Sequence, residues 1–402
     1  MRGDWGFKPM AKDKIKLAVL ESKYSGAVTG VNDLVVRLDK ERFEAIFIYL
    51  SGDPACENHL EKGGYRVCYL STGKRMDIFR PAVLLKLVSV LRKNRIELLH
   101  CHAHKATQYG AIAGFFLRHL KIIAHVHGLG RSARLRRKSA NYFFLNRIDR
   151  FLTVAASVKE DLIQSNWRIP ASKVTVLENS VDYDRFAHVN ITKEQIRRSL
   201  NAPPDAFIFG AVGRLAPTKG ISYLIDAFSL VKKEFSQAYL LLVGQGPEEQ
   251  QYSRQVQKLG LQDSVCFAGF RRDIEKVFRA LDVFVISSVA EGMPRVLLEA
   301  KAAGIPCIGT RVGGIPEVLN DSVGLLVEAQ NCEALADAMK AMMRKNPEEL
   351  GRLRTSAEQR ARDLYSHAVV SEKLKNVYLE ILGQMAPSVS PPESPAGANM
   401  TN

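Results

Sequence analysis

Two carboxylates bracket seven residues in Glu291-Gly292-Met293-Pro294-Arg295-Val296-Leu297-Leu298-Glu299. Acids placed this way can address one extended ligand; a loop acid and a solvated helix acid are the bland alternative. A second stretch, Gly213-Arg214-Leu215-Ala216-Pro217-Thr218-Lys219-Gly220, sets two cations five residues apart between glycines. That pattern suits a diphosphate, with Arg214 as a planar fork and Lys219 as a point charge. It lacks the GxxxxGK[ST] order of a Walker loop. Other glycine-bearing turns are Ser25-Gly26-Ala27-Val28-Thr29-Gly30, Gly244-Gln245-Gly246-Pro247, Gly269-Phe270-Arg271-Arg272-Asp273 and Gly313-Gly314-Ile315-Pro316-Glu317. The first is not GxGxxG, so a dinucleotide fingerprint is not supported.

Histidines form a separate group. His100, His102 and His104 alternate in sequence, which in a strand would put three imidazoles on one side. The run has no neighbouring Asp or Glu and bridges a strand end and a loop. It reads as strand-end structure or substrate contact, and no metal site is expected. His127 precedes Gly128, and that glycine lets the backbone approach a ligand. A purely structural histidine is the competing reading.

These residues need elements to hold them. The apolar run 281–286 reads as a buried strand before Glu291, and Val296, Leu297, Ala300 and Ala303 as a helix stopped by Gly304. Glu291 then falls in a strand-to-helix loop and Glu299 about two turns into the helix. At 100° per residue their directions differ by roughly 80°, so they address different parts of one extended ligand. Strands are expected at 15–20, 43–50, 66–70, 96–100, 122–126, 148–155 and 173–177. Helices alternate with them at 31–38, 57–62, 81–94, 106–120 and from Ser157, where Glu160 completes a capping box. The second half repeats the alternation, with strands at 207–212, 239–243, 265–267, 281–286, 306–310 and 324–327. Such alternation implies α/β domains with mainly parallel sheets, whose ligands gather beyond the carboxyl ends of the strands. The glycine-rich loops all follow strands.

With 402 residues the length allows two or three domains, and 46% hydrophobic against 25% charged residues is ordinary globular composition. No run of 18 apolar residues predicts a membrane span, and the polar N-terminus lacks the apolar core of a signal peptide. Six scattered cysteines without a CxxC pair fit reduced thiols. The net charge of +15 is uneven: residues 1–186 hold 32 Lys and Arg against 18 Asp and Glu, while residues 187–402 hold 25 against 24. Arg131, Arg134, Arg136, Arg137 and Lys138 form the densest basic run. No nucleic-acid motif accompanies it, so an anionic membrane or phosphorylated acceptor is the preferred partner and nucleic acid is not expected. A solvated basic face is the bland alternative.

Taken together, Gly-Arg-Leu…Lys-Gly, Val-Gly-x-Gly-Pro, Glu-x7-Glu, Gly-x-Pro and Gly-Gly-x-x-Glu resemble the retaining glycosyltransferases of family 4. The resemblance covers roughly residues 13–384. It implies a GT-B fold, two Rossmann-like parallel-sheet domains facing a central cleft. Residues 13–186 would form the acceptor-binding domain and 187–370 the nucleotide-sugar-binding domain. A helix at 371–384 would cross back to the first, and 385–402 would be a disordered tail. The implied activity is transfer of a hexose-type sugar from a nucleotide-sugar to a saccharide or lipid-linked saccharide, in cell-envelope polysaccharide or lipopolysaccharide synthesis. No cofactor or metal would be needed, and a UDP-sugar is favoured over a GDP-sugar.

By the same resemblance, His127, Arg214, Lys219 and Glu291 would be catalytic. Ser25, Gly26, Gly213, Gly244, Gly269, Phe270, Arg271, Gly292, Met293, Pro294 and Glu299 would complete the donor site. The enzyme would be cytoplasmic and peripheral on the inner membrane, with the basic N-terminal half toward the lipid. A nucleotide-sugar epimerase or isomerase on the same architecture is the alternative. The chain departs from the family pattern at Ser25, at Ser180 in Asn179-Ser180-Val181-Asp182, and at Lys301, which reads as a surface position.

Overall fold

In a computed structural model, residues 14–385 are described, apart from 25–29, 54, 55, 57, 73–78, 130–144 and 167. The N-terminal strands are β1 (Ile15–Lys23), β2 (Phe43–Ser51), β3 (Arg66–Tyr69), β4 (Leu98–His102), β5 (Lys121–Val126), β6 (Arg150–Thr153) and β7 (Val174–Val176). They pair in the order β3-β2-β1-β4-β5-β6-β7. The C-terminal strands are β8 (Phe207–Val212), β9 (Ala238–Val243), β10 (Val265–Gly269), β11 (Val283–Ile286), β12 (Cys307–Thr310) and β13 (Gly324–Val327). Their order is β10-β9-β8-β11-β12-β13. Adjacent strands run parallel in both sheets. All six residues of β9 are buried, as expected when helices cover both faces of a parallel sheet. Strand order reverses between β1 and β4 and between β8 and β11, and those two switch points are where such sheets open a ligand crevice.

Helix Ile221–Lys232 shows why the strand-and-helix pattern was readable: Leu224, Ile225, Phe228 and Val231 recur on one face and are fully buried. Other helices were not anticipated. Glu249–Lys258 buries only Tyr252 and Val256, and Pro347–Tyr365 only Ala357, Ala361 and Tyr365. Lys193–Ser199, whose residues are mostly polar, carries a Thr192/Gln195 capping box. Tertiary bonds hold it. Arg197, only 3% exposed, donates to the carbonyls of Ala280 (3.0 Å) and Ala206 (2.9 Å) and to Asp282 (2.7 Å). Asp282 also accepts the backbone N–H of Ile208 at 2.7 Å, which ties this ion pair to the start of β8.

The chain passes between the two sheets twice, and the passes pair with each other. Val181 N–H donates to the Tyr365 carbonyl (2.8 Å) and His367 N–H to the Val181 carbonyl (3.1 Å). The Ser180 hydroxyl and His367 Nδ1 lie 2.8 Å apart beside this bridge, so the serine finds a partner there. After it, helix His367–Ile381 buries Val370, Leu374, Val377 and Tyr378 in the same apolar cluster as Leu17, Val19, Leu34 and Leu98. The last helix therefore begins four residues earlier than periodicity suggested and packs on the N-terminal sheet.

Two readings are corrected by the structure. Lys301 is not a surface residue; it is fully buried, donates to the Val318 carbonyl at 2.8 Å and lies 5.3 Å from the Tyr365 ring centre. The Ser157/Glu160 capping box does not form. Helix Ala156–Ser165 starts two residues earlier than a Ser157 cap would place it, with Ala155 as its cap residue, and its first N–H groups are taken by a carboxylate from the other half.

Candidate functional site

The C-terminal wall of the cleft is built at the β8/β11 switch point. The loop after β8 carries Arg214 and, in a short 3-10 turn, Lys219. The loop after β11 carries Ser287, Ser288 and Glu291. Lys219 Nζ pairs with Glu291 Oε1, and Ser288 Oγ donates to the same oxygen at 2.7 Å. Ser287 Oγ donates to the Lys219 carbonyl (3.0 Å) and Val289 N–H to the Thr218 carbonyl (2.9 Å). The two loops thus form one unit, and Gly213, Arg214, Lys219, Ser287 and Ser288 line a shared pocket.

Beyond β10, Arg271 is held in a fork by Asp273 (2.9 and 2.8 Å), beside the 62%-exposed ring of Phe270. That fork raises the Arg271 pKa and lowers that of Asp273. Gly244, after β9, donates to the Gly269 carbonyl at 2.8 Å, so the turns at Gly244 and Gly269 are also joined. Glu299 is the fifth residue of helix Arg295–Ala302, little more than one turn in rather than two. Burial pushes its carboxyl above the usual range, while Arg295 and Arg185 draw it back down.

The N-terminal wall is made of imidazoles. Parallel register sets His102 of β4 beside His125 of β5. The ring centres of His102 and His127 lie 4.0 Å apart, and those of His125 and His127 4.3 Å. Behind them, His100 Nε2 lies 3.2 Å from His125 Nδ1, and His100 Nδ1 2.7 Å from the Tyr378 hydroxyl. Burial drives His100 down to about 3 and His125 well below its ordinary value, so both are neutral. His104 does not join them; it opens helix His104–Phe116. The alternating run is therefore replaced by a cluster across two strands.

The walls meet at the loop after β11. A Cβ on Gly292 would lie 2.1 Å from the His127 carbonyl oxygen, so only glycine permits this approach. Gly313, at φ +53°, backs the same loop: its Cβ would fall 1.9 Å from the Glu291 carbonyl oxygen. Gly314 N–H donates to the Gly292 carbonyl at 2.6 Å. From the N-terminal side, Asn179 Nδ2 donates to the Met293 carbonyl at 2.7 Å. Glu317, closing the Gly-Gly-x-x-Glu motif, reaches across. Its carboxylate accepts from Ala156 N (2.8 Å), Ser157 N (3.1 Å) and Ser157 Oγ (3.2 Å), capping a helix of the opposite half. Arg295 and Asp33 add an interdomain ion pair at 3.8 Å. Between these contacts lies a cavity of about 230 Å³ lined in part by His102, His125, His127, Glu178, Asn179 and Arg295.

Of the residues singled out in the sequence, the structure brings Lys219 onto Glu291, Gly292 onto His127, and Arg214 beside Lys219. Ser25, Gly26 and the basic run 131–138 lie outside the described residues. His125, Arg295 and Glu317 were not assigned roles. His125 lies in β5 two residues before His127, which follows the strand directly, and that spacing is the available signal; Glu317 is visible only as the end of a motif.

Residues 192–363 match the family described as Glycosyl transferases group 1, and residues 24–185 match Glycosyltransferase Family 4. The chain is 28% identical over 267 residues to the UDP-Gal:alpha-D-GlcNAc-diphosphoundecaprenol alpha-1,3-galactosyltransferase of Escherichia coli, covering 64% of this chain and 68% of that protein. It is 29% identical over 303 residues to the N-acetyl-alpha-D-glucosaminyl L-malate synthase of Bacillus anthracis, covering 74% and 77%. Among solved structures, Anabaena Alr3699/HepE in complex with UDP superposes with a TM-score of 0.76 at 23% identity, covering 91% of this chain and 100% of that one. A glycosyltransferase from Rickettsia africae gives 0.79 at 20%, covering 93% and 100%. These structures share the fold.

Proposed function

The chain belongs to family 4 of the GT-B glycosyltransferases, and from that premise we propose a retaining, metal-independent transfer from a nucleotide-sugar. The acceptor is a saccharide or lipid-linked saccharide of the cell envelope. Relatives named for capsular polysaccharide and lipopolysaccharide core synthesis support that setting. The observation that carries the reading is the joined β8 and β11 loops, which bring Arg214, Lys219 and Glu291 to one switch point.

In this reading Arg214 and Lys219 balance the charge that grows on the leaving diphosphate, taking the place of a divalent ion. Glu291 and the backbone of Gly292, Met293 and Pro294 hold the hydroxyls of the transferred sugar, and Glu299 those of the ribose. Phe270 offers its exposed face to the base. His127 lies beside the donor sugar. The acceptor hydroxyl attacks from the side the diphosphate leaves and passes its proton to the departing phosphate, so the anomeric configuration is kept. A UDP-sugar is favoured: one relative is named for UDP-Gal and one structural neighbour holds UDP.

The place of work is the cytoplasmic membrane surface. The basic excess lies in the N-terminal half, and Phe79, Leu85, Phe115 and Phe116 of that half are exposed, a mix suited to an anionic bilayer. Among the described residues no helix is long and apolar enough to cross a membrane. Neutralising the five cations of 131–138 should abolish flotation with anionic vesicles; unchanged flotation would refute the membrane placement.

The test of the chemistry is a UDP-sugar panel with lipid-linked saccharides in EDTA, followed by NMR of the product's anomeric proton. An α-linked product from an α-linked donor, formed only with acceptor, supports the reading. An inverted product, a metal requirement or donor turnover without acceptor would refute it, the last pointing to an epimerase or isomerase.

A further inference from the structure

We propose that His102, His125 and His127 form a binding site for a borderline divalent transition metal, represented by Zn²⁺, in the N-terminal wall of the cleft. One ring nitrogen from each of the three lies within 4.8 Å of the others. Zinc–imidazole bonds of about 2.0–2.1 Å put tetrahedral ligand atoms roughly 3.4 Å apart, so small side-chain rotations close the site. His102 at the end of β4 and His127 just past β5 are half-buried and line the cavity.

The deeper partner is already oriented. His125 is 4% exposed, and its Nε2 is buried with no hydrogen-bond partner. Its Nδ1 faces His100 Nε2, and His100 Nδ1 faces the Tyr378 hydroxyl. Two tautomer arrangements satisfy this chain. If His100 donated to His125, the His125 Nε2–H would be a buried donor without acceptor. If instead His125 Nδ1–H donates to His100 and His100 Nδ1–H to Tyr378, His125 Nε2 is a bare lone pair. The second avoids the rarer and costlier orphan, a buried N–H. It is also the outer-shell arrangement that fixes a metal-ligating imidazole in its binding tautomer.

Three imidazoles with a fourth position open to the cavity match the ligand set of zinc and its neighbours, and not that of Mg²⁺ or Ca²⁺. Glu178 and Arg295 line the same cavity, so water or an anion completes the shell. Resting on the reading that His127 adjoins the donor sugar, a bound ion competes with that sugar and inhibits transfer. Metal binding itself does not rest on that reading.

The test is titration of the full-length protein with Co²⁺, followed by visible absorption, then displacement by Zn²⁺. The expected result is one equivalent with intense tetrahedral d–d bands. These bands should be lost in His125→Ala and His102→Ala and kept in His104→Ala, with circular dichroism confirming that each variant folds. Absence of such bands, weak octahedral absorption, or bands that persist in folded His125→Ala would overturn the proposal. Nucleoside diphosphate affinity measured on the same His125→Ala protein tells failure of this site from failure of the donor reading: binding retained leaves the donor site intact.

Discussion

The two halves carry similar sheets but set different polar groups beside the cleft, neutral imidazoles on one side and ion pairs on the other. On the N-terminal side of the cleft the buried imidazoles are neutral: His100 and His125 are held uncharged in a ladder ending at Tyr378. The C-terminal half buries groups that carry charge. Asp282 is held by Arg197 and Lys193, and Lys301 sits on the Val318 carbonyl and against the Tyr365 ring; half-buried Lys219 is held by Glu291. In the proposed reading the difference marks where the chemistry changes charge. A departing diphosphate needs fixed cations on one wall. The facing wall can offer lone pairs and apolar edges without adding charge.

If the C-terminal half depends on buried charge, removing one partner must cost more there than elsewhere. Asp282→Ala leaves Arg197 uncompensated and should lose about 3–5 kcal/mol of stability, read by urea denaturation. A loss below about 1 kcal/mol would break the comparison. At the cleft, Lys219→Ala should lower kcat by roughly 10²–10³-fold while the protein remains folded; steady-state rates at saturating donor measure this.

Lys301 sharpens the contrast by its pH dependence. Burial lowers its pKa from 10.5 to about 8, so between pH 8 and 10.5 the unfolded state binds more protons. Stability should therefore rise with pH across that window. Lys301→Met should flatten that rise and gain about 1–2 kcal/mol at pH 7. In the N-terminal half and at the crossing, His100 (about 3) and His367 (about 4) sit below their ordinary 6.5. The sign is the same but the window is lower: stability is lost as pH falls from 6.5 toward 4. Unfolding midpoints at pH 7.5 and 5.0 report it, and equal midpoints would contradict neutral burial. The smallest effect belongs to Glu299. Because burial opposes its charge, Glu299→Gln should raise stability by about 1 kcal/mol and weaken nucleotide binding.

Legibility in the sequence followed the same division. The glycine-rich loops of the C-terminal half are legible because their features are local: cations, glycines and acids lie within a few residues of one another, after strands marked by apolar runs. The imidazole cluster was not, since His102 and His125 meet only through the register of β4 with β5. Nor was the cap from Glu317 to Ser157, which joins residues 160 apart; local spacing pointed instead to Glu160. Lys301 looked like a surface residue because sequence cannot show that helix Arg295–Ala302 has no solvent face at that position, where Tyr365 and Val318 cover it. The sparse helices Glu249–Lys258 and Pro347–Tyr365 escaped because two or three buried residues do not make a period.

The most direct test of the central claim is calorimetric titration of UDP into wild type and Lys219→Ala, in EDTA. The account predicts saturable binding to wild type without metal and at least tenfold weaker binding to the variant. Equal affinity in both proteins, or wild-type binding that appears only when a divalent ion is added, would contradict a diphosphate held by protein cations.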